Sequence, residues 1–390
     1  MPQTPPRVLL LGTRGIPAAH GGFESFAEKL ALFLVARGWK VTVYCQHDAG
    51  RIAERFTIDT WRRVERVNVQ VAHSGALGTM EFDWHSLRHA AKREGVCLVL
   101  GYNTAAFLVL LRLAHKKILI NMDGIEWKRP KWSLPARAWF YINEWLGAWL
   151  GHRLVADHPE IESHLATRRP RGAIAMIPYG GDEVTAAGIE PVTSLGLMPG
   201  KYLLLVARLE PDNNVLTFVQ AFSRRRRDAK LVVLGGLDDD NPYHRSLRAA
   251  ASEEVVFPGA IYDKSVVQAL RFHARAYCHG HTVGGTNPSL VEALWCGNPV
   301  LAHRNRFNRW TAGAEQFFFS DVDECERTIG RILRDDIAVA RSSRAARLRA
   351  AQDFNWADIL ASYEAELIAL GGRTPALPGA RTILDAAQRR

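Results

Sequence analysis

The stretch VLLLGTRGIPAAHGGFESFAEKLALFLVARGWKVTVYC, residues 8–45, decides the fold. Val8–Leu11 is a short apolar run that breaks at Gly12, and Gly15 follows. After the loop holding Gly21 and Gly22, residues 23–37 carry helical spacing, with Phe23, Phe26, Leu30, Phe33 and Leu34 on one face. Gly38 stops this helix, and Val41–Cys45 begins a second strand. Strand, loop, helix and strand make a βαβ unit, which implies a parallel sheet with helices on its faces.

The alternation continues through Val96–Leu100, a helical Ala105–His115, and the strands Ile118–Asn121, Leu154–Ala156 and Ala173–Ile177. Residues 183–200 are rich in Gly, Pro, Thr and Ala and read as a linker. A second series then restarts: strand Tyr202–Val206, helix Val215–Ser223, strand Lys230–Gly235, helix Pro242–Ala251 and strand Val255–Phe257. Helix Lys264–Phe272, strand Ala276–His279, helix Pro288–Trp295 and strand Pro299–Ala302 complete it. Two Rossmann-like α/β domains are expected, with ligands beyond the carboxyl ends of their strands. Helical segments at Ala338–Ala351 and Ile359–Leu370, interrupted by Phe354-Asn355-Trp356, close the chain.

At 390 residues the chain is long enough for two domains with separate cores. Hydrophobic content of 47% and charged content of 23% exclude wholesale disorder. A formal charge of +10 favours phosphorylated substrates, nucleic acid or an anionic membrane surface. The five cysteines form no CxxC pair, so neither a zinc nor a redox motif is expected, and a reduced cytoplasm is the simple reading. No stretch of about eighteen uncharged apolar residues appears, so no transmembrane helix is expected.

Four segments carry chemistry. The loop Gly12–Glu24 follows a strand and opens a helix, where backbone amides and the helix dipole favour an anion, although a tight packing turn explains the glycines equally well. The segment His279–Leu294, HGHTVGGTNPSLVEAL, leads glycines into a helix. Its Ser289 and Leu290 amides suit a diphosphate, and Glu292 suits sugar hydroxyls. The plainer reading of Glu292 is an acid complementing the helix N-terminus. Arg208, just past a strand, can neutralise a leaving diphosphate through a bidentate contact, against the alternative of a structural salt bridge. Asp123 and Glu126, just past Asn121, can orient an acceptor hydroxyl or act as base, though Asp before Gly also begins ordinary turns. Trp127, Lys128, Arg129, Lys131, Trp132, Arg137, Trp139 and Phe140 mix aromatic and basic side chains as a bilayer interface does, or as tryptophans packed in a core do. The run Arg224–Arg227 reads as a solvated helix end.

Arg208, the Gly284–Glu292 segment and Ile177-Pro178-Tyr179-Gly180-Gly181 resemble the GT-B fold glycosyltransferases of family 4. Gly12–Glu24, the segment NMDGIEWKRPKW at residues 121–132, and VGGTNPSLVEAL at residues 283–294 resemble more narrowly the bacterial β-1,4-rhamnosyltransferase subgroup. The similarity runs from about Arg7 to Leu370. It implies two Rossmann-like, doubly wound domains facing a central cleft. The N-terminal, acceptor-binding domain spans 1–185 and the C-terminal, nucleotide-sugar-binding domain 186–356, with a crossing helix at 357–375; the residues beyond, 376–390, lose all sequence pattern and are expected to form a mobile tail.

By the same resemblance, Glu292 holds the donor ribose, and Ser289 and Leu290 amides with Arg208 hold the diphosphate. Gly285, Thr286 and Asn287 line that loop, Gly259 and Tyr262 stand beside the base, and Gly21 and Gly22 close over the diphosphate. Transfer retains anomeric configuration without a metal or other cofactor. The implied donor is dTDP-L-rhamnose, and the acceptor a polyprenyl-diphosphate-linked saccharide at the inner membrane face, for surface polysaccharide synthesis. The enzyme is then cytoplasmic, in peripheral contact with an anionic membrane. Two positions depart from the family: Gly284 replaces a glutamate, which speaks against donors such as glucose or mannose and is compatible with a 6-deoxy sugar, and Asn213 replaces a lysine. The second change loads Arg208, with Arg14 and Lys264 as candidates to share the phosphate. Alternatives are a family 4 transferase using a UDP- or GDP-sugar, a nucleotide-sugar epimerase of the same fold, and, last, a polyanion-binding protein. No nucleic-acid module is recognisable, so nucleic acid is not an expected partner.

Overall fold

The computed structural model describes residues 5–19, 21–48, 54–129 and 131–371. His20, the end of the expected 357–375 segment and the expected tail 376–390 lie outside the described residues. Two compact units form. Unit 1 takes the described residues of Met1–Trp127, Leu134–Ile177 and Ala357–Arg390, and unit 2 those of Lys128–Ser133 and Pro178–Trp356. The division falls at Ile177 rather than at residue 185, and the hexapeptide Lys128–Ser133 goes with unit 2.

Unit 1 is built on β1 (Arg7–Leu11), β2 (Lys40–Asp48), β3 (Phe56–Trp61), β4 (Val64–Val71), β5 (Val96–Leu100), β6 (Ile118–Asn121), β7 (Arg153–Ala156) and β8 (Ile174–Met176). Their order is β3-β4-β2-β1-β5-β6-β7-β8. Every neighbouring pair is parallel except the β3–β4 hairpin at the edge. Helix Gly22–Ala36 buries Phe26, Ala27, Leu30, Ala31, Leu34 and Val35, a stripe of helical period, while Phe23 and Phe33 are only half-buried. The helix expected over Ala105–His115 is a 3-10 turn, Ala105–Leu108, followed by Val109–Leu113. There Asn143 Oδ1 accepts from the Ala106 amide at 2.8 Å, satisfying a first-turn donor that has no partner within the helix. The final helix, Trp356–Gly371, docks on unit 1: Tyr363 packs on Phe26 at 4.5 Å between centroids, Trp39 donates to Glu364 at 2.9 Å, and Arg153 pairs with Glu366 at 2.7 Å.

Unit 2 holds β9 (Tyr202–Val206), β10 (Lys230–Leu234), β11 (Val255–Gly259), β12 (Ala276–His279), β13 (Val300–His303) and β14 (Phe317–Phe319). All neighbours are parallel, in the order β11-β10-β9-β12-β13-β14. Numbered within the unit this is 3-2-1-4-5-6, the order of dinucleotide-binding sheets. The parallel strands of unit 1 repeat it and add one. Residues 183–200 are not a loose linker. They carry the short helix Glu190–Thr193 and bury Val192 and Leu197 in the core of unit 2, where apolar burial outweighs a weakly periodic sequence. The α/β, two-domain GT-B architecture expected above is the one observed.

Candidate functional site

In unit 2 the strand order reverses between β9 and β12, and crossovers leave the pair in opposite directions. The loops after these two strands therefore border the crevice where such sheets take ligands. Arg208 stands two residues past β9. Its side chain is exposed and has no partner among the described residues. Asn213 is buried and donates from Nδ2 to the Arg208 carbonyl at 2.7 Å, so it fixes the backbone that carries the guanidinium.

Past β12, His279 and His281 stack at 5.4 Å between centroids. His279 is fully enclosed, its Nε2 has no hydrogen-bond partner, and burial holds its pKa well below the usual value. His281 is pushed down to about 3 by burial and then by the cations Arg129, Arg208 and Lys131. Both rings are neutral at physiological pH. Arg129 reaches His281 Nε2 at 3.4 Å and Asp212 at 3.5 Å. The loops are laced together: Thr282 donates to the Asp212 carbonyl at 3.0 Å and Asn214 to the Gly280 carbonyl at 2.8 Å. A Cβ at Gly280 would collide with the Asn213 carbonyl, so only glycine permits this approach. In the sequence Arg129 and Lys131 belong to the aromatic-basic stretch that fits a bilayer interface or a packed core equally, and the two histidines carry no signal of their own.

Helix Pro288–Trp295 is capped by Asn287, whose Oδ1 accepts from the Ser289 amide at 3.0 Å. The Leu290 amide reaches the Asn287 carbonyl at 3.1 Å. Both amides expected to hold a diphosphate are thus engaged by Asn287, because an Asx cap satisfies the same orphan donors that an anion would. The Ser289 hydroxyl points inward, taking a bond from Arg271 at 3.1 Å and meeting Tyr277. Arg271, itself buried, pairs with Glu292 at 2.7 Å. Glu292 is therefore not a bare complement to the helix end. A buried guanidinium holds it while its carboxylate stays 44% exposed, presentable to a hydroxyl. The Arg271 partner was not legible in the sequence. At Gly284 a Cβ would meet only His281, at 3.5 Å, so no steric reason excludes a side chain there. Gly285, partly buried, and Thr286, buried, lead into the cap. Gly259, at the end of β11, has φ +88°, and Tyr262 and Lys264 beyond it are exposed at the same carboxyl edge of the sheet.

In unit 1 the corresponding reversal lies between β1 and β5. The loop after β1 is held by carboxylates of the following helix: Glu24 accepts from the Arg14 amide at 3.1 Å and Glu28 from the Ala18 amide at 2.6 Å. Those amides are not open to a phosphate. Gly12 has φ +79°, and a Cβ there would collide with the Leu100 carbonyl. Gly21 precedes the helix at φ +85° and Gly22 begins it. The Arg14 side chain is exposed.

A cavity of about 230 Å³ opens at this reversal. Asp123 lines it and Glu126 does not. Asp123 is held in the left-handed region, φ +51°, by its amide bond to Asn121 Oδ1 at 2.8 Å, and Asn121 in turn donates to Tyr363 of the last helix at 2.7 Å. The Glu126 amide donates to Tyr102 at 2.9 Å. Trp127 next to it donates to Glu144, a buried carboxylate that also meets His164 and Arg168 at 2.9 and 3.0 Å. The cavity wall also includes Asp83 and Ser86, which the sequence did not mark.

Helix Leu134–Leu150 exposes Leu134, Trp139, Tyr141, Ile142 and Trp149, and Arg168 and Arg169 stack over Trp145 and Trp149. Among the described residues no helix is long and apolar enough to cross a membrane.

Residues 6–182 match the model of a domain of unknown function, DUF1972, and residues 195–349 match that of the glycosyl transferases group 1. No curated protein matches the chain. Among solved structures it is similar to sucrose-phosphate synthase from Thermosynechococcus elongatus, with TM-score 0.80 and 18% identity over 95% of this chain and 100% of that one. It is also similar to HepE of Anabaena in complex with UDP and glucose, with TM-score 0.72 and 16% identity over 93% and 100%. A trehalose-phosphate synthase from Burkholderia xenovorans in complex with glucose-6-phosphate gives TM-score 0.72 and 14% identity over 93% and 99%. At such identities these likenesses speak for the fold. The fold is GT-B, and within it residues 195–349 are those that match the glycosyl transferases group 1 model.

Proposed function

We propose that this glycosyltransferase moves L-rhamnose from dTDP-L-rhamnose, with retention, onto a lipid-linked saccharide at an anionic membrane surface. The observation that carries the reading is Arg208: an exposed guanidinium without a side-chain partner among the described residues, at the reversal of a nucleotide-binding sheet, beside the neutral His281 imidazole. In the reaction the bond from the anomeric carbon to the diphosphate oxygen breaks. The acceptor oxygen bonds to that carbon on the face just vacated, and its proton passes to the departing phosphate. Charge develops on the leaving oxygens, so a cation already in place stabilises the transition state more than the ground state. Arg129 and Lys131 add positive potential around the same imidazoles and compensate for the neutral Asn213.

Glu292, held by Arg271, is assigned to the donor ribose, and Gly259 and Tyr262 to the base. The Ser289 and Leu290 amides join the diphosphate only if it displaces the Asn287 cap. Gly284 leaves the sugar site without a carboxylate, which suits a 6-deoxy ring. The exposed aromatics of helix Leu134–Leu150 with Arg168 and Arg169 support peripheral contact with anionic lipid. A UDP-sugar is the second reading, favoured by HepE, whose complex holds UDP and glucose.

The test incubates the protein with dTDP-rhamnose, UDP-glucose or GDP-mannose and a polyprenyl-diphosphate-linked acceptor, and follows nucleoside diphosphate and glycolipid. Acceptor-dependent release of dTDP is expected. Preferred release of UDP moves the reading to a UDP-sugar, and conversion of donor without acceptor makes it an epimerase.

A further inference from the structure

The imidazole of His281 is fixed from its backbone, from its face and from its edge. Its carbonyl accepts from Asn305 Nδ2 at 2.7 Å and from Asn308 Nδ2 at 2.9 Å, at the start of helix Arg306–Ala312. Its ring lies nearly parallel to that of His279, at 13°, and His279 in turn stacks on Tyr277 at 6.2 Å between centroids. At the edge, Arg129 reaches Nε2, and Asp212 holds Arg129.

The contact with Arg129 also decides where the ring keeps its proton. A guanidinium can only donate, so Nε2 accepts and the proton sits on Nδ1. Nδ1 makes no hydrogen bond among the described residues, so a half-buried side chain carries an N–H donor that the fold does not use. Beside the ring lies open space. A Cβ at Gly284 would meet only His281 Cδ2, at 3.5 Å.

Position selects what enters that space. Arg208 is close enough to help depress the His281 pKa, so a diphosphate held by Arg208 carries its substituents past this ring. A nucleotide-sugar has two such substituents. Glu292, Gly259 and Tyr262 are assigned to the nucleoside, which leaves the sugar for the space at His281 and Gly284.

We infer that His281 is a specificity-determining residue for the donor sugar, donating from Nδ1 to one sugar oxygen beside Gly284, with Arg129 as its positioning residue. That role presupposes the transferase reading. An imidazole N–H meets an oxygen that offers a lone pair, whereas a carboxylate would take a hydroxyl proton, so the two select different groups. Arg129 acts through the ring: without it, nothing fixes the proton on Nδ1.

The experiment uses the full chain and calorimetry with dTDP-rhamnose, dTDP-glucose and UDP-glucose, each set against its own bare nucleotide so that the sugar alone is compared. For the donor that binds best, His281→Ala should weaken binding about 3- to 10-fold while bare nucleotide changes by less than about twofold. An asparagine places its amide N–H near the position of Nδ1, and a glutamine nearer that of Nε2. His281→Asn should therefore recover part of the loss and His281→Gln should not. If His281→Ala does not fold, that pair carries the same comparison. Nitrogen NMR, with the His281 signal identified by its absence in His281→Asn, should show the Nδ1–H tautomer in the wild type and a mixture in Arg129→Met. Equal weakening of nucleotide and nucleotide-sugar in His281→Ala overturns the proposal, because it gives the ring to phosphate or to packing. So does an Nε2–H ring in the wild type. Donor binding that His281→Ala leaves unchanged sinks this role alone. A wild type that binds neither nucleotides nor nucleotide-sugars breaks the transferase reading, and this role falls with it.

Discussion

The crevice at β9 and β12 and the crevice at β1 and β5 occupy the same position in sheets of the same order, yet their charges are opposite. The first gathers Arg208, Arg129 and Lys131 around imidazoles that have lost their protons, and its carboxylates, Asp212 and Glu292, are each paired with an arginine. The second is lined by Glu24, Asp83 and Asp123, and helix carboxylates occupy its loop amides. A parallel sheet supplies the place for a ligand but not its identity. The side chains just beyond the strands make one crevice cationic and the other acidic.

The sharpest way to break this contrast is Arg208→Ala. Transfer should fall by about 10²- to 10³-fold, as for loss of one preorganised charge on the leaving group, with an unchanged melting temperature because the side chain is exposed. A near-wild-type rate would remove the positive half of the comparison. Glu292→Gln should weaken nucleotide binding about tenfold. It should also lower stability by on the order of 1 kcal/mol, because buried Arg271 loses a charged partner that is itself partly solvated.

Asp83→Asn sharpens the acidic half through pH. The raised carboxyl of the folded state, at about 6 against 3.8 for an ordinary aspartate, costs the wild type stability as pH climbs through that window. The carboxylates facing Asp83 from the other walls are Glu24 and Asp123, and the facing cation is Arg14. The variant should therefore match the wild type at pH 4 and exceed it by on the order of 2 kcal/mol above pH 7, in urea titrations at each pH. An advantage that is independent of pH would sink the assignment. The smallest effect belongs to Gly284→Glu. Its Cβ has room, so stability should move by less than about 0.5 kcal/mol, while the ratio of turnover with UDP-glucose to that with dTDP-rhamnose should rise.

Much of this contrast was visible in the chain and some was not. Buried parallel strands such as Val96–Leu100 and Tyr202–Val206 read as continuous apolar runs, and their boundaries matched the structure. The β3–β4 hairpin was missed because its turn, Arg62-Arg63, takes φ of +46° and +66° without the glycine or asparagine that signals such a turn. Helix Gly75–Ala91 was missed too: it opens on glycines, and Ser74 makes no side-chain cap. With it went Asp83 and Ser86. Arg208 and Glu292 were legible because they sit beside glycine-rich breaks, whereas Arg271 lies on a different helix and only folding brings it to Glu292. The two domain-boundary differences have one cause. Residues 128–133 and 178–200 make their contacts with unit 2, and no local pattern records a contact that distant.

The docking of residues 357–371 on unit 1 sets an order of completion during synthesis. The strands of unit 1 leave the ribosome first, but Trp39, Asn121 and Arg153 have no Glu364, Tyr363 or Glu366 to meet until the final helix has been translated. Unit 2 has all of its own chain once Trp356 is made, just ahead of that helix. The unit begun earliest is thus finished last, and the acidic crevice, whose Asp123 loop is tied to Tyr363, is among the final parts of the molecule to become rigid.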